Sequence, residues 1–361
     1  MNTKKNIKEK NKKEISSSSS NSSKRSKNSK KHKIPDYMKL NILPEGRIKS
    51  YSYYSHKGKS FEGFQKINLD SYLILQNFNN NKDFNIFCIM DGHGPDGHFV
   101  SSFISKYLSS YFKTNKKLNS PKTKNNLDYI YYKIQKHDYS LLKDAFHGAE
   151  DALYKNKKID TNFSGTSCII LIQIGERIIR ANVGDSRAFM VKSYDRIISL
   201  SIDQRPELPE ESNRILKNGG EIIQLEENDG QLGPFRIWEK GKKYPGISIS
   251  RSIGDSVATK LGVISTPIII EKFLDKETEF IVIASKGILE VLSNKNILDL
   301  VMLFYLKNDP KGACQLIFYE AYKFWSMEEM IVDDLTIIVI FLWFSLFYIN
   351  FGNIKQKYRK K

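Results

Sequence analysis

"FNIFCIMDGHG", residues 84–94, joins an apolar run to an Asp-Gly-His-Gly tip. A short apolar run closed by glycines reads as a buried strand. Its tip carries an acid and an imidazole two positions apart, the raw material of a site. The same texture recurs at "SYLIL" (71–75), "SCIILIQI" (167–174), "RIIRANV" (177–183), "EFIVIAS" (279–285) and "LTIIVIF" (335–341). These runs are rich in β-branched residues and end in turn formers, as strands do. Helical spacing appears between them. "HFVSSFISKYLSSYF" (98–112) sets Phe99, Phe103, Tyr107 and Phe112 about one turn apart. "PEESNRILKNGG" (209–220) opens on Pro and acids and closes on Gly-Gly, and "NILDLVMLFYLK" (296–307) and "GACQLIFYEAYKFW" (312–325) are two further helices. "KTNKKLNSPKTKNN" (113–126) is a polar surface loop. There is no internal repeat, and strands mixed with segregated helices predict an α+β layered domain.

The net charge of +17 suggests a nucleic-acid binder until it is located. Residues 1–34 hold 12 Lys/Arg against 2 Glu, and 355–361 hold 5 Lys/Arg, which leaves the middle of the chain at only +2. The basicity belongs to the ends, so the folded part need not present a basic face. The N-terminal stretch is Ser- and Lys-rich without aromatics, so it is expected to be disordered. "KRSKNSKKHK" (24–33) reads as a solvated tail, with a nuclear address or polyanion contact as the alternative. Cys88, Cys168 and Cys314 are far apart, two of them inside apolar runs, which suits reduced core thiols in a cytoplasmic or nuclear protein. No secretory or myristoylation signal is expected at the N-terminus.

Three strand ends carry acids: Asp91 in "DGHG", Asp185 in "GDSR" and Asp333 with Asp334 before the last strand. Carboxylates gathered at one edge suit Mg²⁺ or Mn²⁺, which prefer carboxylate, carbonyl and water oxygens. Gly92 lets the backbone approach closely, so its carbonyl is a candidate ligand. His93 is placed to donate a proton. Singly, each is also an ordinary turn or cap.

Together with "FSGTSCIILI", "RANVGDSRAFMV", "SIDQRPELPEESNRILKNGGEI", "PGISISRSIGDSVATKLGVISTPII" and "VDDLTIIVIFL", in that order, "FCIMDGHGPDGHFVS" resembles the metal-dependent protein phosphatases of the PPM (type 2C) family over residues 48–343. The resemblance implies a central sandwich of two antiparallel β-sheets flanked by helices on both sides. It further implies hydrolysis of phosphoserine and phosphothreonine by a water activated between two Mg²⁺ or Mn²⁺ ions, with no phosphoenzyme. By the same resemblance Asp91 bridges the ions, Gly92 offers its carbonyl, Asp333 binds the first ion, Asp185 helps hold a third, and His93 protonates the leaving group. Phosphoproteins are the expected partners of a monomer, with no specific nucleic acid. The expected organisation is a basic arm (1–40), a phosphatase domain (41–343) and an apolar, then basic tail (344–361).

Three positions depart from the family pattern. An acid is expected where "IVIASKGILEVLSN" (281–294) has Lys286, and another where Leu69 precedes Asp70, although Asp70 itself remains. Gln65 and Lys66 stand where some members carry a phosphate-gripping arginine. Asp to Lys changes the local charge by two units, of order several kcal/mol against a dication at an effective dielectric of about 20. One reading puts the Lys286 ammonium between Asp91 and Asp333 in place of the first ion. The other points it to solvent, with Glu290 as a substitute carboxylate. Function therefore divides between a weakened phosphatase and an inactive pseudophosphatase that binds phosphoproteins or a kinase. A nucleic-acid or membrane-surface role through the basic ends is the third reading. The run "LTIIVIFLWFSLFYINF" (335–351) exceeds one strand; packing on the domain is expected rather than a membrane anchor, which wants about 20 apolar residues.

Because residues 1–34 lack core-forming side chains, a chain beginning at residue 35 is expected to melt at the temperature of the full chain in calorimetry. A drop of several degrees would show that the arm docks.

Overall fold

The computed structural model describes residues 46–60, 66–119, 126–193, 195–227, 230–328 and 331–343. The chain divides into two units, Met1–Lys33 and Ile34–Lys361, and every described residue belongs to the second. The expected arm (1–40), Gln65 and the tail (344–361) lie outside the described residues.

Ten strands build two five-stranded sheets: β1 (Ile48–His56), β2 (Ser71–Leu75), β3 (Phe84–Met90), β4 (Cys168–Ile174), β5 (Arg177–Val183), β6 (Arg187–Lys192), β7 (Arg196–Ser199), β8 (Ile268–Phe273), β9 (Thr278–Ala284) and β10 (Leu335–Leu342). One sheet runs β1-β10-β9-β6-β7 and the other β8-β5-β4-β3-β2. All pairings within them are antiparallel.

Alternation along each strand builds three layers of core. Phe87, Ile89, Ile169 and Leu171 of one sheet meet Ile281, Ile283, Ile338 and Ile340 of the other in the seam between them. The intervening Ile86, Cys88, Met90 and Ile170 face α1 (Gly97–Thr114) and α2 (Leu127–Lys155). On the far side Phe280, Val282, Ile337 and Val339 pack beneath helices that include Ile288, Ile297, Val301 and Ile317. Antiparallel sheets commonly leave one face wet and alternate apolar with polar. Here both faces are covered, which is why the strands are apolar throughout. The three cysteines are buried and free.

The six strands legible in the sequence appear within a residue or so of their expected bounds. β1, β6, β7 and β8 are additions, as is the long α2. β1 is Ser- and Tyr-rich and half-buried, so it lacks an apolar run. α2 is broken near its middle, where His137, Asp138 and Tyr139 take φ of 56°, 54° and 56°. Along α1, Val100, Ile104, Leu108 and Phe112 form the buried stripe, Phe103 and Tyr107 pack half-buried beside it, and Phe99 is exposed. Aromatic spacing marked the helix but not its inner face, because the four-residue row beside it packs on the sheet.

Antiparallel register gathers the strand ends. Ala284 at the end of β9 pairs with Ile337 and with Arg187, and Met90 at the end of β3 pairs with Ser71. Residues 70, 91, 185, 286 and 333 therefore sit at the same edge of the sandwich. Nearby, α3 (Pro209–Lys217) is tied to the 250–255 segment through buried Glu211, which accepts from Arg251 Nη2 at 2.6 Å and Arg214 Nη2 at 2.5 Å. Burial alone would raise the Glu211 pKa, but the two arginines bring it down to about 2. A depressed carboxylate stabilises the fold above its ordinary value and loses that contribution as pH falls toward the folded value. Glu211→Gln is expected to cost about 3 kcal/mol at pH 7, since it strands two arginines. In urea unfolding, the gap from wild type should close between pH 4.5 and 2.

Candidate active site

Asp91 leaves the end of β3 and its Oδ2 accepts the backbone N–H of Lys286 at 3.0 Å. Lys286 opens α4 (Lys286–Val291) directly after β9, with Ser285 pinned to Thr336: Ser285 N–H donates to the Thr336 carbonyl at 2.9 Å, and Thr336 N–H to Ser285 Oγ at 3.0 Å. Two glycines permit this crowding. A Cβ on Gly92 would lie 2.5 Å from the carbonyl oxygens of Gly97 and Leu69, and one on Gly287 2.2 Å from that of Asp334. No side chain fits at either place without moving backbone.

His93 follows Gly92 and is held by Asp255, with Nε2 2.8 Å from Oδ2. Asp255 is 3 % exposed, adopts a left-handed backbone (φ 47°), and also accepts from Ser252 Oγ at 2.6 Å. Burial alone would lower the His93 pKa, but the Asp255 carboxylate outweighs it and the net shift is upward. In sequence Asp255 sits in "SRSIGDS" and looks like an ordinary turn Asp; only the tertiary contact to His93 distinguishes it.

A cleft of about 350 Å³ opens over these groups, lined by Asp91, Gly92, His93, Asp185, Lys286 and Asp333 on its polar side and by Phe163, Pro245, Ile247 and Ile249 on its apolar side. Asp91 is pushed well above the usual carboxylate range by burial and by the charges of Asp70, Asp333 and Asp185. Asp185 is raised by burial against the pull of Lys286 and His93. Asp70 is 7 % exposed, neither of its carboxylate oxygens has a partner at hydrogen-bond geometry, and burial, only partly offset by the Thr336 and Ser285 hydroxyls, pushes it up to about 7.

The cations divide differently from either sequence expectation. The Lys286 ammonium lies 3.8 Å from Glu290 Oε2 and within 4 Å of neither Asp91 nor Asp333. It still lines the cleft, where burial lowers its pKa and the acids, Asp185 foremost, more than restore it. The cation that touches Asp333 is Lys66, whose Nζ sits 3.2 Å from Asp333 Oδ1 and 3.2 Å from Asp334 Oδ2. Asp334 is a backbone clamp, accepting from Gly58 N–H at 2.6 Å and Leu69 N–H at 2.9 Å.

Among the described residues no three His, Cys, Asp or Glu side chains converge closely enough to hold a metal by themselves. Mg²⁺ commonly takes one or two carboxylates and completes its shell with water. The Asp70–Asp91–Gly92 side fits that requirement, because it carries an orphaned buried carboxylate. The Asp333 side does not, because an ammonium already stands there.

A likeness in fold defines the class first. The structure superposes on a serine-threonine phosphatase 2C from Toxoplasma gondii with a TM-score of 0.68 at 16% identity, covering 84% of this chain and 97% of that one. It also superposes on a C. elegans sex determining protein with a TM-score of 0.61 at 15% identity, covering 81% and 64%. The sequence carries the likeness further. The protein phosphatase 2C family profile matches residues 54–330. Two Arabidopsis thaliana proteins, "Probable protein phosphatase 2C 35" and "Probable protein phosphatase 2C 73", are 30% and 31% identical, covering 80% and 78% of this chain and 83% and 78% of their own. The chain belongs to the protein phosphatase 2C family.

Asp70 makes the metal-free site sensitive to pH. An acid whose folded pKa lies above its unfolded 3.8 favours folding while protonated, so its contribution to stability falls as pH rises from about 4 through about 7. In chelator, Asp70→Asn is expected to flatten the decline of urea-unfolding stability over that window. An unchanged slope would place the titration elsewhere.

Proposed function

We propose that this domain is a Mg²⁺- or Mn²⁺-dependent phosphoserine/phosphothreonine phosphatase whose turnover Lys286 weakens. One observation carries the reading: His93, held by Asp255, shares a single cleft with Asp91, Asp185, Asp333 and Lys286. His93, whose proton affinity Asp255 raises, is placed to protonate a leaving serine or threonine alkoxide. Asp70, Asp91 and the Gly92 carbonyl would hold a divalent ion, which when bound neutralises phosphoryl oxygens and acidifies water. Lys286 presents an ammonium to the phosphate from the opposite side, favouring binding, and its charge opposes a second dication. The apolar wall at Phe163 and Ile247 would receive side chains next to the phosphorylated residue.

A second reading, phosphopeptide binding without turnover, draws on Lys286 and Leu69, which stand where the family pattern predicts metal contacts. Hydrolysis of a generic phosphopeptide under Mn²⁺ titration, with binding of the same peptide followed by fluorescence anisotropy, separates the two. Wild-type hydrolysis is expected to be slow even at millimolar Mn²⁺, and Lys286→Asp to raise it by about tenfold or more, since it removes from the cleft a positive charge that weighs against a bound dication and the hydroxide it would supply. Wild-type turnover equal to that of Lys286→Asp would remove Lys286 as the cause. Peptide binding with no turnover in either protein would favour the second reading.

A further inference from the structure

Each acid at the Asp333 side of the cleft already has a donor. Asp333 Oδ1 takes Lys66 Nζ at 3.2 Å and Asp334 N–H at 2.8 Å. Asp334 takes Gly58 N–H, Leu69 N–H and Lys66. Asp91 Oδ2 takes the Lys286 N–H. The Lys66 side chain is only 22 % exposed, and it is set between two carboxylates rather than beside one. A surface ion pair is a loose contact of little consequence; this ammonium is shared by two acids, one of them Asp334 at 3 % side-chain exposure, and stands as their counter-charge. Gly58 N–H and Leu69 N–H bind the same Asp334 that Lys66 neutralises.

The Asp70 side is the reverse. Both Asp70 oxygens are buried with no donor at hydrogen-bond geometry, the Thr336 and Ser285 hydroxyls offset that burial only in part, and Asp70 is the charge that acts most strongly on Asp91. A buried carboxylate with no partner demands a proton or a cation. We infer that this domain keeps one divalent-ion site, on the Asp70–Asp91 side, and that the Lys66 ammonium stands in place of the ion on the Asp333 side. Lys286 reinforces that exclusion from across the cleft but does not occupy the place, because its ammonium turns to Glu290. This rests on the proposed function only for the class of ion. It explains why a single Asp-to-Lys difference at 286 need not account alone for an altered metal edge.

Calorimetric titration of the full chain with MnCl₂, without phosphopeptide, tests it independently of turnover. Wild type is expected to bind one equivalent, and Asp70→Asn to weaken that binding by tenfold or more. Lys286→Asp is expected to remain at one equivalent. Lys66→Gln combined with Lys286→Asp is expected to bind two, whereas Lys66→Arg combined with Lys286→Asp should stay at one, because the charge is kept. Two equivalents bound by wild type or by Lys286→Asp alone would overturn the assignment, as would no binding by wild type or unchanged binding by Asp70→Asn. If the Lys66→Gln pair fails to fold, the wild-type, Lys286→Asp and Asp70→Asn titrations still decide. One equivalent bound with no hydrolysis would count against the proposed activity and leave this assignment standing.

Discussion

The seam between the two sheets is the constraint on which the rest of the structure depends. Ile281 and Ile283 of β9 lie beside Ile340 and Ile338 of β10 and face Phe87, Ile89, Ile169 and Leu171 across the sandwich. A slip of one residue in any of these strands would turn its apolar set outward and move its tip off the edge. Helices on both outer faces remove that freedom, since the alternate residues are buried as well. The common edge that holds residues 70, 91, 185, 286 and 333 is thus a consequence of packing far from the chemistry.

At that edge the governing quantity is charge. Asp70, Asp91, Asp185 and Asp333 lie close enough to influence one another, and burial raises the proton affinity of three of them. The fold tolerates the concentration of acids by dividing it. Lys66 and backbone N–H groups satisfy Asp333 and Asp334, Lys286 spreads a positive potential through the cleft, and Asp255 is engaged by His93. Asp70 is left without a donor. The glycines at 92 and 287 that allow the backbone to crowd beneath these acids are in place.

The apolar strands were legible because both faces are covered, which turns a buried antiparallel strand into a continuous hydrophobic run. β1 and β7 were not, because partial burial leaves only short or Ser/Tyr-mixed segments. The acids at 91, 185 and 333 and the histidine at 93 were legible as strand-tip residues in motif order. Asp255 was hidden by its resemblance to a turn residue, and Lys66 stood out only as a departure from a phosphate-gripping arginine, with nothing local to tie it to Asp333. Each takes part in the site through a contact more than 150 residues away in the chain.

The sequence by itself determined the family, the strand-and-helix layering and the identity of the acids at the edge, since all of these follow from local patterns and the order of motifs. It also marked position 286 as a cation where an acid belongs. Only the tertiary structure decided which cation meets which acid. Lys286 begins a helix, and a side chain there can reach Glu290 one turn on, so the local partner takes it. Lys66 also has an acid four residues on, Asp70, yet it opens no helix and its ammonium lies 3.2 Å from both Asp333 and Asp334. Charge can be counted along a chain, but its neutralisation depends on distances of 3 to 4 Å that the packing alone sets.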